Sequence, residues 1–273
     1  MKKAINFLLF LSLILMALIY CTNSRRINLT KIEKKMFRLV PEKQLPKDDL
    51  PSERIKLEIE DRILYANWVS AGKTSPAFLI LHGNGESISD WRPVQAYLLQ
   101  KGYSSFVFDY SGFGSSTGQP SVKKLNKDAI IAYKKFASLT NGASEQIAFG
   151  HSLGTGVLLD IANKLKPLPD KVVVIGTFTT ARAILVEKGV ITNSEKKDYP
   201  DVWNGLKNVQ RIKAPLYILH SINDKVVPIY MSEELAKSAG SKAKFLKLDN
   251  PGHNAVYQFP NDSIWNPIFN FIK

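Results

Sequence analysis

The 273-residue chain has a single cysteine, Cys21, which excludes a disulfide-stapled scaffold and a Cys-based zinc ribbon. Its four histidines make any histidine-dependent chemistry a matter of elimination. Acids are in deficit: 24 Asp and Glu against 37 Lys and Arg leave a net charge of +13. A surface of that sign favours anionic partners. The basic residues are scattered without interleaved aromatics, however, so no nucleic-acid partner is expected. Internal repeats and low-complexity tracts are lacking as well. What is plentiful is apolar residue, 45% of the chain with 10% aromatic, the balance of a folded domain with a substantial core.

There is one long hydrophobic run. Lys2 and Lys3 precede Ala4 to Tyr20, 17 residues in which only Asn6 and Ser12 are polar. That length is short for a bilayer span and long for the apolar part of a signal peptide. No polar face interrupts the run, so it is not a helix lying against a core. Cys21 follows immediately. The arrangement resembles a bacterial lipoprotein signal, although Tyr20 stands where a small residue is usual. Residues 1–21 are therefore read as a signal peptide or membrane anchor. A lipidated Cys21, an uncleaved single span and a simple secretory signal all remain open. The expected location is membrane-associated and exported. Residues 22–52 read as a basic tether. Between Arg25 and Pro51 there are eight Lys and Arg, four acids and three prolines, with one helix expected over Lys31 to Leu39. Such a segment is either a solvated linker or a collar lying on anionic headgroups.

Beyond Arg54 the pattern alternates. Ile55–Ile59 and Ile63–Val69 have the period of half-exposed antiparallel strands. Ala77–Leu81, Ser104–Phe108, Gln146–Phe149, Lys171–Ile175, Pro215–Leu219 and Lys244–Leu248 are short apolar runs suited to buried strands. Helical spacing falls between them, over Trp91–Gln100, Val122–Leu139, Leu153–Leu165, Ile229–Ala239 and Ala255–Ile272. Strand–helix alternation implies right-handed crossovers and a mostly parallel sheet covered on both faces. Residues 53–273 are read as one such domain, with a small cap over about 177–213.

The chemistry sits where strands stop. Gly150-His151-Ser152-Leu153-Gly154 is G-x-S-x-G between a strand and a helix, which puts the serine on a sharp turn at the helix's positive end. A serine hydroxyl needs a base, and the base needs an orienting acid. Of the four histidines, His151 adjoins the serine on a tight turn, while His82 and His220 end strands and suit loop-holding roles. His253, in a turn between the last strand and the last helix, is the candidate base. Asp224, just past a strand, is the candidate acid. Asp109 is the rival, suited to bonding backbone amides of its Gly-rich loop, and Asp249 suits a turn cap. For a developing oxyanion, the backbone N–H groups of Leu153 and Asn84 are the candidate donors, with the second open by one residue in register.

These residues carry a resemblance over roughly 53–273. His82-Gly-Asn-Gly85, Asp109-Tyr-Ser-Gly-Phe-Gly114, Pro120-Ser121, the Gly150–Gly154 elbow, the Asp224 loop and Gly252-His253 resemble the α/β-hydrolase superfamily. Within it they are most similar to membrane-associated alkyl-esterases, acyl-protein thioesterases and serine-aminopeptidase-like enzymes. The resemblance implies an α/β-hydrolase fold with about eight strands, a Ser152–His253–Asp224 triad, and no cofactor or metal. It implies a serine hydrolase cleaving a carboxylic ester or thioester through an acyl-enzyme, its substrate a small-molecule or lipid-like acyl compound. A peptidase or acyltransferase on the same machinery, and a non-catalytic anchored binding protein, are the alternatives. Ser221 departs from the family's usual glycine. The short insertion before Ala214, with its apolar stretch Ala183–Val190 and Trp203, is the expected place of substrate choice.

Overall fold

The computed structural model describes residues 33–45, 49–197, 199–249 and 252–273. The hydrophobic run Ala4–Tyr20 and Cys21 lie outside the described residues. Among the described residues no helix is long and apolar enough to cross a membrane.

Eight strands form one sheet: β1 Ser52–Ile59, β2 Arg62–Val69, β3 Ala77–Leu81, β4 Ser104–Phe108, β5 Gln146–His151, β6 Lys171–Ile175, β7 Leu216–Ser221 and β8 Ala243–Leu248. Their order is β1-β2-β4-β3-β5-β6-β7-β8. β1 and β2 pair antiparallel, as does β2 with β4, and every later pairing is parallel. This is the expected α/β-hydrolase architecture. The carboxyl ends of β3 to β8 consequently share one edge. Strand order turns back between β3 and β5, and the crevice at such a switch point is where α/β sheets hold ligands.

The central strands are buried on both sides, so their apolar runs are continuous rather than alternating. In β3, Leu79 and Leu81 pack into one core cluster while Phe78 and Ile80 pack into the other. Helices α1 (Arg92–Gln100), α2 (Val122–Leu139) and α3 (Leu153–Ile161) follow β3, β4 and β5 as crossovers. Ser121 caps α2 by accepting from the Lys124 N–H, and Leu125, Ala129, Ala132, Tyr133 and Phe136 bury its apolar stripe. Burying each such large side chain contributes about 1.5–3 kcal/mol. A buried pair, Arg62 with Asp128 at 2.6 Å, ties β2 to α2. The free oxygen of Asp128 accepts from Ser111 N–H and hydroxyl, fixing the loop after β4.

The insertion after β6 carries the short helices α4 (Ala181–Glu187) and α5 (Gly205–Val209). α6 (Tyr230–Ala239) follows β7. Where one closing helix was expected over Ala255–Ile272 there are two, α7 (Ala255–Gln258) and α8 (Asp262–Ile272). The break follows from Pro260, which disfavours helix at Phe259, and from Asn261, whose side chain caps α8.

Residues 33–45, within the expected tether, lie against the domain. Of the helix expected over Lys31–Leu39, the described residues 33–36 are helical and 37–39 are not, while 31 and 32 lie outside the described residues. Met36 and Phe37 are buried, and Phe37 meets Phe113 and Trp203 edge-on. Gly114 N–H donates to the Val40 carbonyl at 2.9 Å, Glu33 accepts from Val122 N–H at 2.9 Å, and Lys43 pairs with Asp90. The packed domain therefore begins upstream of residue 53.

Candidate active site

Ser152 stands between β5 and α3 with φ 51° and ψ −117°, a left-handed conformation costly for a side chain bearing a Cβ. The flanking glycines make that turn feasible. A Cβ on Gly154 would collide with the Leu81 carbonyl oxygen, and one on Gly150 would lie 2.9 Å from the Gly154 carbonyl oxygen. β5, α3 and the end of β3 can close on one another only through bare backbone. Leu153 opens α3, where first-turn N–H groups have no partner within the helix.

His253 lies in the loop between β8 and α7. Its Nδ1–H donates to Asp224 Oδ2 at 2.6 Å, with both side chains almost wholly buried. The other Asp224 oxygen accepts from the N–H groups of Val226 and Val227 at 2.7 and 2.8 Å. Burial opposes ionisation of Asp224, but the bonds from His220 and His253 outweigh it and hold the carboxyl far below its ordinary range. His253 is shifted down from the usual histidine value. Burial is the main cause, and the neighbouring His151 adds to it against the pull of Asp224.

Ser152, Leu153, Asn84 and His253 all line one cavity of about 590 Å³. Among the described residues no hydrogen bond joins the Ser152 hydroxyl to the His253 ring; catalytic hydrogen bonds are often long in structures without substrate. Phe178, Ile184, Leu185, Val190 and Trp203 of the insertion form an apolar wall of that cavity.

Asp109 is a loop organiser. It accepts from the Ile88 N–H at 2.8 Å and lies near His82 at 3.5 Å. His82 also holds its own loop, through the Gly83 carbonyl at 2.9 Å.

Several participants escaped sequence reasoning. Asp224 Oδ2 is shared, since His220 Nε2 lies 3.2 Å from it and 2.9 Å from the Val227 carbonyl. Beneath His253 sits a buried pair, His151 Nδ1 and Glu86 Oε1 at 2.9 Å. Glu86 also accepts from Gly83 N–H and Trp91 Nε1. Against the cost of burial, His151, with smaller help from His82 and the Gly83 N–H, brings Glu86 down to about 2, and Glu86 in turn raises His151. The residue between Gly150 and Ser152 gives no hint of this, because its partner is distant in sequence and glutamate is common on surfaces. The third omission is the segment before β1. Asn84 Nδ2 donates to the Met36 carbonyl and Asn84 Oδ1 accepts from the Arg38 N–H, so Lys35 to Arg38 become a wall of the cavity.

Among the described residues there is no group of three or more His, Cys, Asp or Glu side chains placed to hold a metal ion. Residues 76–194 match the family described as alpha/beta hydrolase fold. The Saccharomyces cerevisiae uncharacterized membrane protein YNL320W is 26% identical over 230 residues, 82% of this chain and 80% of that protein. The lysophosphatidylserine lipase ABHD12 of Danio rerio is 28% identical over 235 residues, which span 71% of this chain and 58% of that one. The esterase Pf2001 of Pyrococcus furiosus shares the fold with TM-score 0.68 and 19% identity, over 86% of this chain and 97% of that one. These likenesses support a hydrolase. With the sheet order and the match of residues 76–194, they show that this chain has the α/β-hydrolase fold.

Proposed function

We propose that the protein is a serine hydrolase that cleaves a carboxylic ester or thioester of a lipid-like acyl group through an acyl-enzyme. What carries the proposal is that Ser152, strained at its turn, shares a cavity with a histidine anchored at 2.6 Å on a buried aspartate. Such a constellation has a direct chemical use. Neutral His253 takes the Ser152 proton as Oγ adds to the substrate carbonyl carbon. Asp224 keeps Nδ1 protonated, leaving Nε2 as the base, and stabilises the imidazolium. The tetrahedral oxyanion is met by the N–H groups of Leu153 and Asn84. The imidazolium then protonates the leaving alcohol or thiol as the bond to it breaks. Water, deprotonated by His253, releases the acid and restores Ser152.

The apolar wall and the named lipase relative favour an acyl chain as the occupant. Membrane attachment through the N-terminal segment, and export, belong to the same proposal, favoured by the run Ala4–Tyr20 and the yeast relative's name. Turnover of a short p-nitrophenyl ester tests the assignment. Ser152→Ala should lower it by about 10⁴-fold or more while near-ultraviolet circular dichroism is kept. Turnover unchanged in that variant rejects Ser152 as nucleophile.

A further inference from the structure

Seven large hydrophobic side chains are exposed among the described residues: Leu39, Leu45, Leu168, Ile222, Val226, Tyr230 and Phe259. Six of them lie on segments that line the cavity or leave the carboxyl edge of the sheet beside it. Val226 lines the cavity, and Phe259, 70% exposed, follows the lining residue Gln258. Leu39 adjoins the lining residue Arg38, and Leu45 lies two residues past Lys43, which also lines. Ile222 is the first residue beyond β7, and Tyr230 donates to Glu187, beside the lining residue Lys188. Only Leu168 lies elsewhere, before the amino end of β6 on the opposite edge. A clustered apolar rim marks an interaction surface, whereas single exposed apolar residues do not.

Cations stand among these side chains. Lys35, Arg38, Lys43 and Lys188 line the mouth. Arg38 lies over Gly85, close enough that a Cβ there would be 3.0 Å from its Cδ, and its charge acts on Tyr257 across the mouth. Arg38 and Lys188 make no ion pair among the described residues. The chain's own connection points the same way. The segment at 33 enters at this edge, and the 12 residues from 21 to 32 separate it from the end of the hydrophobic run. Twelve residues can span at most about 40 Å.

We propose that this rim is a membrane-docking face that seats on a bilayer surface bearing anionic lipid, with the cavity opening toward the lipid. Leu39, Leu45, Val226 and Phe259 enter the boundary between headgroups and acyl chains, and Lys35, Arg38 and Lys188 meet lipid phosphate, Lys43 being held by Asp90. The inference goes beyond the hydrolase proposal and stands without it.

Tryptophan placed at single positions of the full chain tests it, with the parent's signal subtracted. Phe259→Trp, Leu39→Trp and Leu168→Trp are mixed with phosphatidylcholine vesicles containing about 30% phosphatidylglycerol and dibrominated acyl chains. Emission from positions 259 and 39 should be quenched and blue-shifted and that from 168 unchanged, with less quenching in pure phosphatidylcholine or about 0.5 M salt. Equal quenching at all three positions, or none at 259 and 39, overturns the proposal. Phe259→Glu and Leu39→Glu add a second readout. Hydrolysis of a vesicle-borne ester should slow about tenfold while that of a soluble short ester holds; equal effects on the two substrates count against the rim. Quenching at 259 and 39 in a protein inert toward soluble esters would instead sink the hydrolase proposal and leave the docking face intact.

Discussion

His151 donates from Nε2 to the carbonyl oxygen of His253 at 3.0 Å, and the two rings lie 4.8 Å apart. The residue before the candidate nucleophile thus holds the loop of the candidate base. Glu86 raises the pKa of His151 against the cost of burial, and a protonated His151 would place a positive charge next to that base.

Burial of His253, with this contact adding to it, sets the pH dependence. His253 serves as base only when neutral, and its folded-state value is shifted down from 6.5. The rate should therefore climb with pH through a midpoint below 6.5 and be flat above it. The sequence alone placed that rise at roughly 6–7.5, the range of an unperturbed histidine. In His151→Gln the neighbouring charge is gone and Glu86 acts on His253 unopposed, so the midpoint of kcat/KM should move to higher pH. A downward or absent shift contradicts the coupling.

Glu86 contributes to stability through the same pair. Its folded-state value, about 2, lies below the ordinary glutamate value of 4.5. The stability it contributes is present above pH 4.5 and is lost as pH falls toward 2. Glu86→Gln, which leaves His151 buried without its anion, should cost about 3–5 kcal/mol in urea unfolding at pH 7. It should also flatten the acid limb of the stability profile between those two pH values.

At the elbow, Gly154→Ala should destabilise the fold by about 3 kcal/mol or more, since the added methyl meets the rigid Leu81 carbonyl rather than a movable side chain. Gly142→Ala tests whether the loss is local, because a Cβ there meets no atom within 4 Å. Its positive φ, 106°, still makes the change a strained one. Thermal unfolding should rank Gly154→Ala well below Gly142→Ala.

Asn84 is predicted to hold the upstream segment. Asn84→Ala removes both hydrogen bonds to residues 36 and 38. Trypsin cleavage after Lys35 and Arg38 should then accelerate about tenfold or more, because a loosened wall reaches protease-competent conformations more often. An unchanged cleavage rate would mean that Met36 and Phe37 suffice to seat it.

The strands were legible because their signal is local. Ala77–Leu81, Ser104–Phe108 and Lys171–Ile175 are short apolar runs between turn residues, and each forms a strand with those bounds. α2 was legible from its period, though its Ser121 cap was not singled out. The candidate base and acid could be singled out because histidines are few and chain order limits the options, and the structure does bring His253 onto Asp224. Long-range pairings were not legible. Glu86 with His151, Asn84 with Met36 and Arg38, and His220 with Asp224 or Val227 depend on the sheet bringing separate loops to one edge. The docking of residues 33–45 was masked by composition. A charged, proline-bearing segment reads as solvated linker, while its two buried anchors, Met36 and Phe37, are too few to form a periodic pattern.

The most direct test of a nucleophilic Ser152 is covalent. The protein is treated with a fluorophosphonate, its intact mass is recorded, and the adduct is mapped by peptide mass spectrometry. One phosphonyl group on Ser152, absent from Ser152→Ala and strongly slowed in His253→Ala, is the predicted result. An adduct on a different residue, or equal labelling of Ser152→Ala, would contradict it.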